Sequence, residues 1–510
     1  MAQSTQTGAT IDVASNAKAG KLHGSAVGLM GVLFLTVTGA APQSAMLGNV
    51  PFAAGFGIGI HTPAAFLLAT IVLTVFCIGY AAMAGKVSSV GGFYAFISQG
   101  LGREVGMSAG ITSLACYSIF EASLYGLFAF FGNQWIKLHL GIDVGWVWLA
   151  LAAVIGAAIL SVRDVKLSAV VLGGALVLEV LILTIFASGV YFAATGTSFD
   201  LEALNVFNVT VPVAAQTVGT VQIGAGAAAV GIFMAFWSWV GFEMAPNYAE
   251  ESRDAKRIVP QSLYISVIFL GLFYTFVSWA AVSAFPTEGD MLAKAVGDSG
   301  NFFIGPIGQF VGPWAAEAMS ILILTSSFAC GMAFHNTAAR YLYSLGREGV
   351  LPSMFGRTHD TYRSPHIASN AQSVLAAAWI VLFAAFNGFD DPNAQAYLGV
   401  YTLFAVLGTG LLLVLQAVVS LAIINYFRKN GGGNVFSTMI APAVSFVVQV
   451  WLVYLLVSNL GTFAGTSAFA NNIPLIGFVI IVVGLVWGFA LKSINPAGYA
   501  NIGHMVNDDS

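Results

Sequence analysis

The chain has 510 residues, of which 58% are hydrophobic and 8% charged, and its net charge is −4. Mean hydropathy is +0.85. Soluble domains carry roughly 25% charged residues, so this composition excludes a soluble globule and fits a polytopic membrane protein whose surface meets lipid. Cys77, Cys116 and Cys330 all lie in apolar segments and read as small buried hydrophobes, not as a disulfide framework. Residues 1–22 are small and polar, and read as a disordered tail without a cleavable signal peptide.

A bilayer crossing needs ~20 apolar residues. Twelve segments qualify in chain order: 25–55, 63–85, 108–135, 145–162, 166–194, 223–249, 262–285, 314–345, 370–387, 397–427, 437–458 and 474–491. With the N-terminus inside, sixteen of the eighteen Lys and Arg residues fall on the cytoplasmic side, and only Lys137 and Lys294 fall outside. That bias predicts cytoplasmic termini. Spans 1 and 6 are interrupted, with Gly39 and Pro42 in the first and Gly241 and Pro246 in the second. Glycine is a poor helix former and proline removes a backbone donor. Broken helices at matching places in two halves point to a midplane binding site in an inverted-repeat transporter.

Two acids stand in the middle of apolar spans: Glu121 in ITSLACYSIFEASLYGLFAFF and Glu179 in LSAVVLGGALVLEVLILTIFA. An ionised carboxylate facing lipid costs ~2.5–3.5 kcal/mol on insertion scales, so each must be protonated, partnered or facing a wet cavity. The breaks offer chemistry of their own. Helix N–H groups at mid-membrane suit a carboxylate, which places a ligand carboxylate against the N–H groups of Gln43, Ser44 and Ala45, beside Gly39. Carbonyls around Phe236, Trp237 and Ser238, just before Gly241, suit an ammonium group. No His-Glu-x-x-His motif, paired His/Asp cluster or phosphate-binding loop supports a membrane-embedded enzyme, and no ring-forming acid supports a channel.

Three stretches carry a resemblance to a known family. VSSVGGFYAFISQGLGREVG (87–106), GFEMAPNYAEESRDAKRIVPQS (241–262) and FHNTAARYLYSLGREGVLP (334–352) are similar, in order and spacing, to motifs of the amino acid–polyamine–organocation (APC) transporters. Phe96 stands where a second Tyr is usual, Ala255 replaces a Pro, and APQSA replaces the Gly-[Ser/Thr]-Gly triplet common in span 1. The resemblance covers roughly residues 25–490. It implies an all-α fold of twelve transmembrane helices in a LeuT-like five-plus-five inverted repeat. The expected organisation is a tail over 1–24, repeats over 25–195 and 223–427, helices 11 and 12 over 437–491 and a second tail over 492–510.

The resemblance also implies roles. Trp237 matches an aromatic lid over the substrate. Glu121 sits at a span 3 position that reaches the substrate, with Tyr117 on the same helix face and Phe120 pointing elsewhere. Glu179 occupies a span 5 position where sodium-independent relatives carry a Lys, and a buried acid there can load and release a proton. Sodium, held with Thr325, Ser326 or Ser327, is the alternative. Glu243 matches an acid linked to proton sensing or to structure. Glu317 reads as a helix N-terminal acid and His335 as a structural histidine. Glu250, Glu251, Arg253, Lys256, Arg257, Arg340 and Arg347 form an expected cytoplasmic charge network. The implied function is transport of amino acids, small amines or polyamines across the cytoplasmic membrane, with protons as the coupling ion. No cofactor, metal or nucleic-acid partner is expected.

Overall fold

The computed structural model describes residues 27–87, 91–161, 165–193, 199–362, 364–387, 395–464 and 467–503. The tail expected over 1–24 lies outside the described residues, as does 504–510 of the second tail. Lipid offers backbone N–H and C=O groups no partner, so a chain this apolar must satisfy them within helices. Among the described residues ten stretches are long and apolar enough to cross a bilayer, the first being Leu29–Ala84 with 56 residues, and Trp146–Ser161 is a shorter apolar helix. The protein is a multi-pass, helical membrane protein. Its outer face carries exposed Trp148, Leu272, Val447 and Phe478.

The first half of the chain forms α1 (Leu29–Ala40), α2 (Pro42–Ala53), α3 (Thr62–Ala84), α4 (Gly92–Leu101), α5 (Arg103–Leu140), α6 (Trp146–Ser161) and α7 (Val165–Phe192). The second half brings α8 (Ala228–Trp237), a 3-10 segment over Phe242–Tyr248, α9 (Ala255–Ser283), the short α10 (Glu288–Gly297) and α11 (Ile304–Phe310), then α12 (Pro313–Arg347) and α13 (His366–Asn387). Helices Thr402–Asn430, Ala441–Ser458, Ile473–Ile494 and Pro496–Asn501 follow. Among the described residues the strands form one small antiparallel hairpin of Gln216–Val218 and Val221–Ile223, which turns through Gly219 at φ 58°, and Val27 makes an isolated parallel bridge with Ser252.

Both expected breaks are present. Between α1 and α2 the pivot is Ala41, at φ 38° and ψ 80°, the one non-glycine residue at positive φ among the described residues. Pro42 then opens α2, where its fixed φ suits the first helical position and its missing N–H leaves nothing unpaired. In the second broken helix α8 ends at Trp237, and Gly241 takes φ 123° before the 3-10 segment. The two interrupted helices pack half on half: α1 against Phe242–Tyr248, and α2 against α8. They meet backbone to backbone. A Cβ on Gly241 would lie 2.4 Å from the carbonyl carbon of Gly39 and 2.6 Å from the nitrogen of Ala40.

That contact generates a stability prediction. Gly241→Ala adds a Cβ into backbone that has no flexible end to move, at a φ an L side chain rarely adopts. It should cost ~3 kcal/mol or more and lower the unfolding temperature in detergent sharply. Gly174→Ala, on the exposed face of α7 with nothing within 4 Å of its Cβ position, should be neutral or gain ~0.5–1 kcal/mol. Equal unfolding temperatures for the two variants would contradict the crossing.

Candidate functional site

Around the crossing lies a small cavity lined by both breaks: Gly39, Ala40, Ala41, Ser44, Ala45 and Asn49 on one side, and Trp237, Ser238 and Val240 on the other. Leu124 of α5, Cys330 and Phe334 of α12, and Tyr401 close it. The space in which the centre of a water-sized sphere fits is about 20 Å³, room for about one water. No Lys, Arg, His, Asp or Glu is among the lining residues.

The freed backbone groups have partners. Ala41 N–H bonds back to the carbonyls of Val37 (2.9 Å) and Thr38 (3.1 Å). The Gly39 carbonyl accepts from Cys330 Sγ at 3.0 Å and the Ala40 carbonyl from the Tyr274 hydroxyl at 3.0 Å. At the start of α2 the arrangement differs from the expectation. The N–H groups of Gln43, Ser44 and Ala45 do not stand open for a ligand carboxylate. Gln43 N–H donates to Glu179 Oε2 at 3.3 Å, Ser44 N–H to Ser326 Oγ at 3.1 Å, and Ala45 N–H to the Ala41 carbonyl at 2.9 Å. Ser326 Oγ in turn donates to Glu179 Oε2 at 2.8 Å and lies 2.9 Å from Ser44 Oγ. The reason is the helix terminus itself: it favours negative charge, and α7 brings a carboxylate of the protein to it. The Gln43 side chain donates to the Met319 carbonyl at 2.7 Å.

A second acid braces the other break. Glu243 accepts from Gly241 N–H at 2.9 Å and from the Tyr117 hydroxyl at 2.9 Å, so its two oxygens tie the turn to α5. Tyr117 stacks on Tyr341, with ring centroids 5.8 Å apart. The Phe236 and Trp237 carbonyls, expected to face an ammonium, accept N–H groups of the turn from Trp239 (3.2 Å) and Val240 (3.1 Å), and each carbonyl keeps a second lone pair.

Glu121 departs further from the expectation. It is fully buried, with Oε1 3.0 Å from His335 Nδ1 and Oε2 accepting from Gln372 Nε2 at 2.7 Å. His335 Nε2 lies 2.9 Å from Ser369 Oγ, and Ser369 Oγ 2.6 Å from Ser161 Oγ. Glu121 is therefore engaged with α12 and α13 and is not among the cavity-lining residues. Helical spacing explains the split. Tyr117 and Leu124, seven residues apart, share a stripe with Phe120, whose ring sits 4.6 Å from that of Trp237. Glu121 is turned one position further round. Phe120, expected to point elsewhere, packs against Trp237.

Two further sets of polar contacts involve the interrupted helices and the segment that follows the second one. On the α2 and α8 side, Trp237 Nε1 donates to the Tyr401 hydroxyl (3.2 Å), which donates to Asn49 Oδ1 (2.6 Å), while Asn49 Nδ2 donates to Ser238 Oγ (2.8 Å). On the cytoplasmic side of the sequence reading, Arg340 bonds both oxygens of Glu251 (2.8 and 3.1 Å) and stands over the Tyr248 ring, and Arg347 pairs with Glu250 at 3.2 Å. These pairs belong to the expected charge network. Glu317, read as a helix N-terminal acid, takes the Trp135 indole N–H at 2.9 Å and lies 3.3 Å from His139. Sequence reasoning missed Asn49, Tyr401 and Cys330, and it named Ser326 only among candidate sodium ligands beside Glu179. Asn49 is a buried amide inside an apolar span, which is itself a signal; Tyr401 carries none.

This geometry gives Glu121 a structural consequence. Glu121→Gln keeps an acceptor for His335 and should hold ligand affinity within about threefold of wild type. Glu121→Ala strips His335 and Gln372 of their partner and should lower stability by ~1–3 kcal/mol. Ligand titration and thermal unfolding of the purified variants check both. A large affinity loss in the Gln variant at unchanged stability would return Glu121 to the ligand.

Comparison with known proteins agrees with the motifs. The profile of the amino acid permease family matches residues 27–491. The chain is 24% identical over 348 residues to the low-affinity putrescine importer PlaP of Escherichia coli, covering 68% of this chain and 71% of that protein. It is 26% identical over 284 residues to amino acid transporter protein 6 of Caenorhabditis elegans, covering 55% and 48% of the two chains. A shorter stretch of 145 residues is 30% identical to cationic amino acid transporter 9, chloroplastic, of Arabidopsis thaliana, covering 27% and 23%. With the family profile spanning most of its length, the chain belongs to the amino acid permease family of APC transporters.

Proposed function

We propose that this permease is a secondary active transporter that moves an amino acid or small amine across the cytoplasmic membrane by alternating access, coupled to protons. The observation that carries the reading is the crossing of two broken helices at Gly39 and Gly241, with the buried Glu179 carboxylate seated on one break. Helices interrupted at mid-membrane create backbone polarity that a merely structural bundle would avoid. In this reading Leu29–Ala84 crosses twice and Trp146–Ser161 once, which with the remaining nine candidate spans makes twelve crossings. A broken helix opens each five-helix repeat, over 25–195 and 223–427, and both termini are cytoplasmic.

Substrate lies against Gly39, Ser44, Ala45, Trp237 and Ser238, with Gln43, Phe236 and Gly241 shaping the breaks and Tyr117 and Glu243 holding the second one. Opening toward one side breaks the Trp237–Tyr401–Asn49 chain, and opening toward the other breaks the Arg340–Glu251 and Arg347–Glu250 pairs. Glu179 links the ion to this motion. Ionised, its Oε2 accepts from Gln43 N–H and Ser326 Oγ at once. Protonated, it loses the charge that complements the start of α2, and the grip between α2, α7 and α12 loosens.

Counterflow in proteoliposomes tests transport itself: a carrier exchanges labelled substrate and saturates, and a channel does neither. Glu179→Gln should abolish accumulation driven by an imposed pH gradient while exchange persists in part. Uptake by that variant that still follows the gradient would contradict the proton role, and a sodium requirement in the wild type at fixed pH would put sodium in its place. Topology has its own check. Cysteines at Lys137 and Lys294 should label from outside in a background carrying Cys77→Ala, Cys116→Ser and Cys330→Ser. Labelling only after permeabilisation would reverse the orientation.

A further inference from the structure

At the first break the protein supplies the anion that a ligand would otherwise bring. The N-terminus of α2 is complemented by Glu179 Oε2 through Gln43 N–H, and Ser44 N–H is taken by Ser326 Oγ. A second, independent observation concerns what is left over. Two buried side-chain oxygens at this break have no hydrogen-bond partner among the described residues: Glu179 Oε1 and Gln43 Oε1. Both are acceptors, since the Gln43 amide nitrogen is already committed to the Met319 carbonyl. A buried carboxylate oxygen without a donor is costly. Glu179 and Gln43 are not themselves among the residues lining the cavity, so the donor that answers them is an ordered water or a ligand ammonium reaching past the lining residues Ala41 and Ser44.

The cavity wall contains no charged side chain of either sign, so a ligand carboxylate entering it would find neither a cationic side chain nor a free N–H at the start of α2. It does contain the rings of Trp237, Phe334 and Tyr401, whose faces attract cations, and the C-terminal end of α8, which carries the negative end of a helix dipole.

We propose that Glu179 acts as a built-in replacement for the substrate carboxylate, so that this site selects organic cations lacking a carboxylate, primary amines or diamines, and rejects the corresponding α-amino acids. The proposal deepens the transporter reading and rests on it for the location of the site. It makes Glu179 a specificity-determining residue that acts through the α2 terminus, in addition to any part it has in ion coupling. An α-amino acid brings the same ammonium and one extra anion. That anion must displace Glu179 from Gln43 N–H or remain unpaired beside it.

The test uses the full-length protein and pairs of ligands that differ only by the carboxylate: putrescine and ornithine, cadaverine and lysine, agmatine and arginine, isobutylamine and valine, tyramine and tyrosine. Binding by calorimetry or thermal shift reads the inference, and counterflow reads transport. Among the pairs that bind, the amine should bind about tenfold or more tightly than its parent amino acid, equivalent to ~1.4 kcal/mol. Glu179→Ala, which frees Gln43 N–H, should narrow that ratio by about tenfold or invert it. Should that variant not fold, the wild-type ratios decide alone. Amino acids binding as tightly as their amines, or an absence of binding across the whole set, would overturn the inference. Amines that bind with the expected preference but never exchange would leave it standing and overturn transport.

Discussion

Gly39 and Gly241 touch backbone to backbone at the centre of the bundle, and the rest of the site depends on that contact. Two helices that approach so closely have no room for side chains there, and here both are interrupted. Stopping frees N–H and C=O groups at a depth where no lipid can satisfy them. The surrounding helices exist at this level largely to answer them: Tyr274 and Cys330 take the carbonyls of Ala40 and Gly39, Glu179 and Ser326 take the N–H groups of Gln43 and Ser44, and Glu243 takes that of Gly241. Each is a contact between an interrupted helix and another part of the bundle or its own turn, so any motion of the interrupted pair must exchange several of them together.

The acids divide the work by position. Glu179 and Glu243 each hold one break, the first from α7 and the second from within its own turn. Glu121 stabilises the interface of α5 with α12 and α13 through His335 and Gln372. Arg340 and Glu251 form a buried ion pair near the far end of α12. Removing one partner of such a pair typically costs ~3–5 kcal/mol, because the other charge is left stranded. In the proposed transport cycle that strength would suit a latch holding one face closed, with water or a neighbouring charge receiving the freed groups in the other state. The Trp237–Tyr401–Asn49–Ser238 chain is made of neutral groups and offers an easier release.

How much of this could be read in the sequence follows from the physics of each feature. The breaks were legible because Gly39, Pro42 and Gly241 are poor helix residues in otherwise apolar spans. The pivot at Ala41 was not, since alanine has no preference for positive φ and is held there by tertiary contacts. Acids in mid-membrane had to have partners, and did, but the sequence could not name them. Glu121 shows why. α5 is apolar on every side, so no stripe marks its cavity face, and a rotation of one residue separates a ligand contact from a bond to His335. The hairpin at 216–223 lay between apolar spans, where an all-helical reading had no use for its alternation of Thr217, Val218, Val221 and Gln222.

The most direct measurement is an electron cryomicroscopy structure of the full-length protein with a bound amine such as putrescine. The account predicts ligand density between Trp237 and the Ala41–Ala45 turn, with Glu179 still on the N–H of Gln43 and Gly39 still against Gly241. Density beside Glu121, or a continuous, unbroken helix through Ala41 with Glu179 turned away from it, would contradict it.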